Sequence, residues 1–281
     1  MGLRRSVAAL CRCIGFSRQG YYQHTDAQIR TWFQVTIVVQ LVCVIRVRQP
    51  RIGGKKLYSL LKNDFVRLEY RLGRDKFLKV LGSENMLIQQ RKRHCKTTDS
   101  AHEHPVFPNL IAGTKLYRPG QAVAADITYI RLEEGFCYLS LVTDLFTRMI
   151  VGWYLSESLD AAGTIQALRY ARLFMGRTRR CIHHSDQGVQ YCSGEYVQLL
   201  FRFQMSISMT DTGSPGQNAV AERVNGILKS ELLLNSTFRK YEVALPVVKQ
   251  AVEIYNHERP HYSLGLLTPS DFQRKCLAKK R

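Results

Sequence analysis

The chain has 281 residues, 45% of them hydrophobic, and carries a formal net charge of +19. That apolar content supports one large core or two ordinary ones and excludes wholesale disorder. A charge this far from balance selects a polyanion as partner.

The charge is uneven. Residues 1–122 hold 22 Lys and Arg against 7 Asp and Glu, a net of +15, while residues 123–281 hold 19 against 15, a net of +4. The front is therefore the electrostatic footprint, and the second part reads as a near-balanced globular core. None of the eight cysteines forms a C-x-x-C pair. Cys11 and Cys13, like His102 and His104, lack zinc-site spacing, which argues against structural zinc. Met1 leads directly into basic, helix-like sequence instead of a signal peptide, so a reduced cytoplasmic compartment is expected.

In chain order, Val7, Leu10 and Ile14 form one helical stripe that Gly15 ends, and Ser17 caps a second short helix running into Tyr21 and Tyr22. Helix, glycine turn and capped helix is helix-turn-helix grammar, although an ordinary helical hairpin shares it. Thr31 to Val47 is strongly apolar, but it is short for a membrane span and is interrupted by Gln34, Gln40 and Arg46. A buried helix of a DNA-binding domain is expected there, with no membrane involved. Pro50 stops it. Arg51, Gly53, Gly54, Lys55 and Lys56 make a basic turn, Leu57, Leu60 and Leu61 begin another helix, and Gly73 to Leu81 forms a third, ended by Gly82. Arg91, Lys92 and Arg93 open a polar, proline-containing stretch to residue 120, read as a basic linker that either contacts backbone phosphates or is a solvated tether.

After Gly120 the pattern turns from helical to strand-like. Ala122 to Leu132, Phe136 to Thr143 and Met149 to Leu155 read as three strands with short connections, hence an antiparallel meander. A helix over Asp160 to Met175, a short strand over Cys181 to His184, a helix over Ser193 to Phe203, a strand over Met205 to Met209 and a helix over Asn218 to Leu234 follow. The order β β β α β α β α predicts an α/β fold with a mixed sheet covered by helices. Ser214, Pro215 and Gln217 suit the N-cap, N1 and N3 positions of the last of these helices, with Asn218 as the alternative cap. From Tyr241 a further helix presents Val248, Ala251, Val252 and Tyr255 on one face, followed by an extended, proline-containing end. The expected organisation is a helical DNA-binding region over 1–90, a linker over 91–120, a catalytic core over 121–240 and a C-terminal helix with extended tail over 241–281.

Three acids stand out by position. Asp126 interrupts an apolar strand, Asp186 ends the fourth strand, and Glu222 lies on a late helix, where Gly226 and Lys229 share its face at i+4 and i+7. Each alone has an ordinary explanation: a satisfied structural Asp, a turn residue, a solvated helix face. Together they offer hard oxygen ligands from three elements, the donor set of Mg²⁺ or Mn²⁺. Two such ions support in-line phosphoryl transfer without a nucleotide cofactor. No GxxxxGK[ST] loop is present.

Thirty-five residues separate Asp186 from Glu222, the D,D(35)E spacing of retroviral integrases and bacterial insertion-sequence transposases. DITYI around Asp126, HHSDQGVQY around Asp186, GSPGQNAVAERVNGILKSEL around Glu222 and the tail YNHERPHYSLGLLTP resemble the OrfB-type insertion-sequence transposases, as do SRQGYY, RIGGKKLY and RKR nearer the front. The resemblance spans essentially the whole chain. It implies an RNase H-like core preceded by an all-α, helix-turn-helix-type DNA-binding region. It further implies Asp126, Asp186 and Glu222 as catalytic and metal-holding residues for two Mg²⁺ (Mn²⁺ substituting), and DNA transposition by strand cleavage and strand transfer. Lys229 would touch the terminal DNA; Arg223, Arg51, Lys55, Lys56, Arg91, Lys92 and Arg93 would supply further DNA contacts. The partners implied are element-end and target DNA, an OrfA product or fusion, and further copies of the chain, in a nucleoid-associated setting. The chain departs from many relatives in having Gln217 where they carry Asp and Val123 where they carry Trp. Rival readings are a nuclease or integrase acting on other DNA, and an inactive DNA-binding protein, which leaves the three acids unexplained.

Overall fold

The computed structural model describes residues 6–89, 106–211 and 216–278. Arg91, Lys92, Arg93, Cys95, His102, His104, Ser214 and Pro215 lie outside the described residues. The chain divides into two compact units, one of residues 1–48 and 52–89 and the other of residues 49–51 and 90–281.

The first unit is helical. α1 (Val7–Cys13) is capped by the Ser6 hydroxyl, which accepts from the Ala9 N–H, and Gly15 turns the chain at φ +67°. The Ser17 hydroxyl accepts from the Gly20 N–H, as the cap reading requires. The helix it starts is not short: α2 runs unbroken over Arg18–Arg48, so the two expected helices are one. No proline or glycine falls between Tyr22 and Thr31, and the polar run there lacks anything that would stop a helix. The apolar half of α2 is also less buried than expected, since only Val38 and Val42 are buried while Trp32, Phe33, Val44 and Val47 are exposed. By length and composition alone α2 could cross a membrane; it packs Val38 and Val42 into a core with Ile52, Leu57, Leu61, Phe65, Phe77 and Leu81. α3 (Gly54–Arg67) and α4 (Arg74–Ser83) supply most of that core. Gly54 explains part of the RIGGKK motif, because a Cβ there would come within 2.6 Å of Leu78 Cδ2 and 3.3 Å of Leu81 Cδ1.

The second unit is a mixed five-stranded sheet between helices. β1 (Ala122–Arg131), β2 (Phe136–Asp144) and β3 (Ile150–Ser156) form the antiparallel meander, and β4 (Ile182–Ser185) and β5 (Ser206–Met209) add in parallel, in the order β3-β2-β1-β4-β5. One face is covered by α5 (Ala161–Met175), α6 (Val189–Cys192) and α7 (Gly194–Arg202), which bury Ala167, Leu168, Tyr191, Tyr196 and Leu200 against Val123, Ala125 and Val151. The other face is covered by α8 (Ala219–Ser230) and α9 (Tyr241–His257), which bury Val224, Leu228, Val248, Val252 and Tyr255 against Ile130, Leu139 and Leu141. This is the RNase H-like α/β layering that the resemblance implies.

α8 is shorter than the sequence suggests. It ends at Ser230, and Leu232 and Leu234 are buried after it, with Leu233 between them at φ +62°. The tail is not extended throughout, because Pro269–Ala278 form α10. Its YNHERPH motif is a set of ties. The Asn256 amide donates to the Ile150 carbonyl and accepts from the Ile150 N–H, both at 2.9 Å, as an added strand residue would. The Arg259 guanidinium, 3% exposed, binds both oxygens of Glu231 at 2.8 Å, a planar two-bond grip that lysine could not reproduce. The described part of the expected linker is docked, with the Leu110 N–H donating to Ser208 Oγ and Ile111 and Leu116 packed beside Ala122 and Ala124.

Candidate metal centre of the second unit

β1 and β4 pair only through Ala122–Ala124 and Ile182–His184, with Ala124 opposite His184. Asp126 lies two residues beyond Ala124 and Asp186 two beyond His184, so both carboxylates stand at one level where the parallel strands separate. Open α/β sheets place ligands at such carboxyl ends. Asp126 and Asp186 are half-buried and Glu222 is exposed, in the first turn of α8.

The carboxylates sense one another. The Asp126 carboxyl is pushed up to about 7 by burial first, then by repulsion from Asp186 and Glu222; the bonds it accepts from the Ile127 N–H and the Asn225 amide act the other way. Among the described residues, no three His, Cys, Asp or Glu side chains are drawn together at metal-ligand separation. The donor chemistry nevertheless fits a hard divalent cation: oxygen donors only, carried on β1, on the loop after β4 and on α8. The Asp186 Oδ1 accepts from the Gly188 N–H at 3.1 Å, and a Cβ on Gly188 would sit 3.1 Å from that same oxygen.

α8 is tied to β1 on both sides of Glu222. The Asn218 Nδ2 donates to the Ala125 carbonyl at 3.1 Å, and the Asn225 Nδ2 donates to Asp126 Oδ2 at 2.7 Å. Asn218 is the N-cap residue, but its side chain makes no capping bond. Gln217, at the position of departure, closes the neighbouring loop: Oε1 accepts from the Asp211 N–H at 2.6 Å and from Asn109 Nδ2 at 3.0 Å, and Nε2 donates to Asp211 Oδ2 at 2.8 Å. Val123, at the other, is fully buried in the sheet core.

The two histidines before Asp186 are structural. His183 is fully buried with Nε2 at 2.9 Å from the Tyr196 hydroxyl, and burial pushes it down to about 3. His184 is buried with Nδ1 at 2.9 Å from Ser208 Oγ, and burial lowers it too. Neither is a solvent-facing base.

The remaining expected residues scatter. Lys229 is half-buried and Arg223 exposed on α8, Arg51 is half-buried and Lys55 exposed. Lys56 is 6% exposed within α3, where the basic turn was expected. Gly226 meets nothing within 4 Å of an added Cβ, so packing does not require it. Two residues the sequence reading passed over belong here. Asn225 has a faint signal, a poor helix former one turn after Glu222 on its face. Tyr191 has none, since it reads as a core aromatic; its buried hydroxyl has no partner among the described residues, and its ionisation is opposed by burial, by Tyr196 and by both aspartates.

A pH test follows from Asp126. Its carboxyl is raised in the fold, so its contribution to stability is present below the ordinary carboxylate range and is lost as pH rises through about 7. Metal-free protein is expected to lose Tm between pH 4 and pH 7.5 more steeply than Asp126→Asn. Added Mg²⁺ should restore Tm at pH 7.5 and do little at pH 5. Parallel Tm profiles for the two proteins would remove Asp126 as the strained acid.

The chain matches the integrase core domain over residues 117–215 and again over residues 204–269. It is 32% identical to the transposase InsF of insertion sequence IS3A from Escherichia coli, over 97% of this chain and 96% of that protein. It is 31% identical to a 31 kDa protein of insertion element IS600 from Shigella sonnei, over 95% of this chain and 98% of that one. Among solved structures it is similar to the catalytic core domain of HTLV-2 integrase, with a TM-score of 0.45 at 17% identity over 56% of this chain and 97% of that one. An integrase core in the second unit, with likeness along nearly the whole chain to an insertion-sequence enzyme, makes this protein a member of the insertion-sequence transposases, the enzymes of DNA transposition and integration.

Proposed function

We propose that Asp126, Asp186 and Glu222 are the catalytic carboxylates of a DDE polynucleotidyl transferase that holds two Mg²⁺, or Mn²⁺ in their place. The observation that carries this reading is the common level of Asp126 and Asp186 at the parting of β1 and β4, with the Glu222 helix tied to Asp126. When bound, such a metal pair activates an attacking oxygen and stabilises the leaving oxygen of an in-line phosphoryl transfer. The residues do the rest. Asp126 and Asp186 hold the cations from a rigid sheet, and Glu222 supplies the third carboxylate from α8. Lys229, two turns along α8, and Arg223 beside Glu222 face DNA phosphates, and Gly226 leaves the helix surface bare where DNA approaches. Attack by water frees a 3′-hydroxyl at the element end; attack by that hydroxyl on another phosphodiester joins the element to its target. Lys55, Arg51 and the basic run Arg91 to Arg93 add contacts from the front, which binds element ends. The enzyme works as several copies on DNA, with an OrfA product as partner or fusion, in the bacterial nucleoid.

The test is a duplex carrying a terminal repeat of the element. Cutting at the repeat boundary should require Mg²⁺ or Mn²⁺, stop on chelation, and weaken steeply with salt as phosphate contacts are screened. Equal cutting of a scrambled duplex would instead favour a nuclease without end selectivity.

A further inference from the structure

We propose that Asn225 is a positioning residue for the metal site, holding Asp126 in the orientation in which it takes a divalent cation. The inference rests on the carboxylate assignment given above. Asn225 is 8% exposed, and its Nδ2 reaches Asp126 Oδ2 at 2.7 Å, a short bond to a charged acceptor. The other oxygen of Asp126 accepts only from the backbone N–H of its own neighbour Ile127 among the hydrogen bonds described. Asn225 is therefore the side chain that fixes how this carboxylate faces.

A packing role does not explain the residue. Among the described residues its buried Oδ1 has no donor, which costs free energy that an apolar side chain of the same size would avoid. Asparagine is also a poor former of helix interiors. What only the amide supplies is a neutral donor beside a carboxylate already crowded by two others. A lysine would neutralise the charge meant for the cation, and a hydroxyl is too short to span from α8 to β1. The position agrees: Asn218 and Asn225 lie one turn either side of Glu222, and they bind consecutive residues of β1, the Ala125 carbonyl and the Asp126 side chain. The pair sets the register of Glu222 against Asp126, and Asn225 is the member that touches a ligand. Outer partners of metal ligands act in this way, orienting the donor without binding the ion.

The experiment measures Mn²⁺ binding to the full chain without DNA, by the electron paramagnetic resonance of free Mn²⁺, beside Tm in metal-free buffer. The proteins are wild type, Asn225→Ala, Asn225→Leu and Asp126→Asn. Both Asn225 variants are expected to be fully folded at the temperature of measurement and to bind Mn²⁺ about tenfold more weakly, by the same factor in each although leucine and alanine differ in packing and so in metal-free Tm. A loss of metal binding that does not track Tm is an outcome that a structural role does not give. Wild-type affinity in both variants, or a loss that scales with the fall in Tm from one variant to the other, overturns the proposal. Wild type and Asp126→Asn binding Mn²⁺ alike would instead overturn the carboxylate assignment beneath it.

Discussion

Asp186→Asn is expected to abolish metal-dependent cutting of element-end DNA, by about 10³-fold or more, while the protein folds and binds DNA as before. The size follows from the role proposed for the residue. A ligand that helps hold both reacting oxygens is worth several kcal/mol of transition-state charge stabilisation, and about 4 kcal/mol corresponds to three decades in rate. The fold should tolerate the change. The amide is the same size, and its oxygen still accepts from the Gly188 N–H that binds Oδ1 in the parent. Removing the charge also relieves Asp126, on which Asp186 is the larger of the two repelling carboxylates. Metal-free Asp186→Asn should therefore match or exceed wild type in Tm at pH 8, where Asp126 is ionised. An inactive protein of equal stability and equal end affinity in a gel-shift assay is the expected result. Cutting at more than a tenth of the wild-type rate would remove Asp186 from the chemistry.

The residues that fix this prediction were legible because chemistry constrains them in sequence. A carboxylate inside an apolar strand is costly without a partner, so Asp126 is visible against Ala125 and Ile127. Asp186 is visible as the acid that ends a short strand, and Glu222 through its spacing. The succession of strands along the chain and the antiparallel meander followed from alternation and from turns such as Glu133 to Gly135. Other features depend on partners far away in the chain and leave little local trace. Asn225 is defined by Asp126, 99 residues earlier, and in isolation reads as a solvated helix residue. Lys56 looks like part of a basic turn until α3 is seen to bury its face. The continuity of α2 was hidden by a polar run that contains no helix breaker, and α10 by prolines that start a helix as readily as they end one. The tail motif was read as a family mark, whereas Asn256 and Arg259 are ties to Ile150 and Glu231.

Gly152→Ala tests the frame on which the carboxylates stand, and it is expected to cost about 3 kcal/mol, the upper end for forcing a methyl group into a packed core. Gly152 sits within β3, paired with Val142 of β2. A Cβ there would lie 2.3 Å from the Ala167 carbonyl oxygen, 2.6 Å from the Ala171 nitrogen and 2.7 Å from the Ala171 Cβ. Two of these three atoms are backbone, so no rotamer change can clear them. α5 would have to move away from the sheet as a body. α5 and the sheet share the core that contains Ala167, Leu168 and Ala171 together with Val123 and Ala125, the residues that lead into Asp126. A shift there loosens the packing of β1 as well as that of β3. The alanines on α5 and the glycine on β3 are thus one feature, small residues that let a helix backbone approach a strand closely. For a unit of this size the expected fall in Tm is about 6–12 °C. The surface-facing control Gly226→Ala, which meets nothing within 4 Å, should leave Tm unchanged or raise it. A Tm for Gly152→Ala within 2 °C of wild type would mean that α5 does not rest on β3 as described.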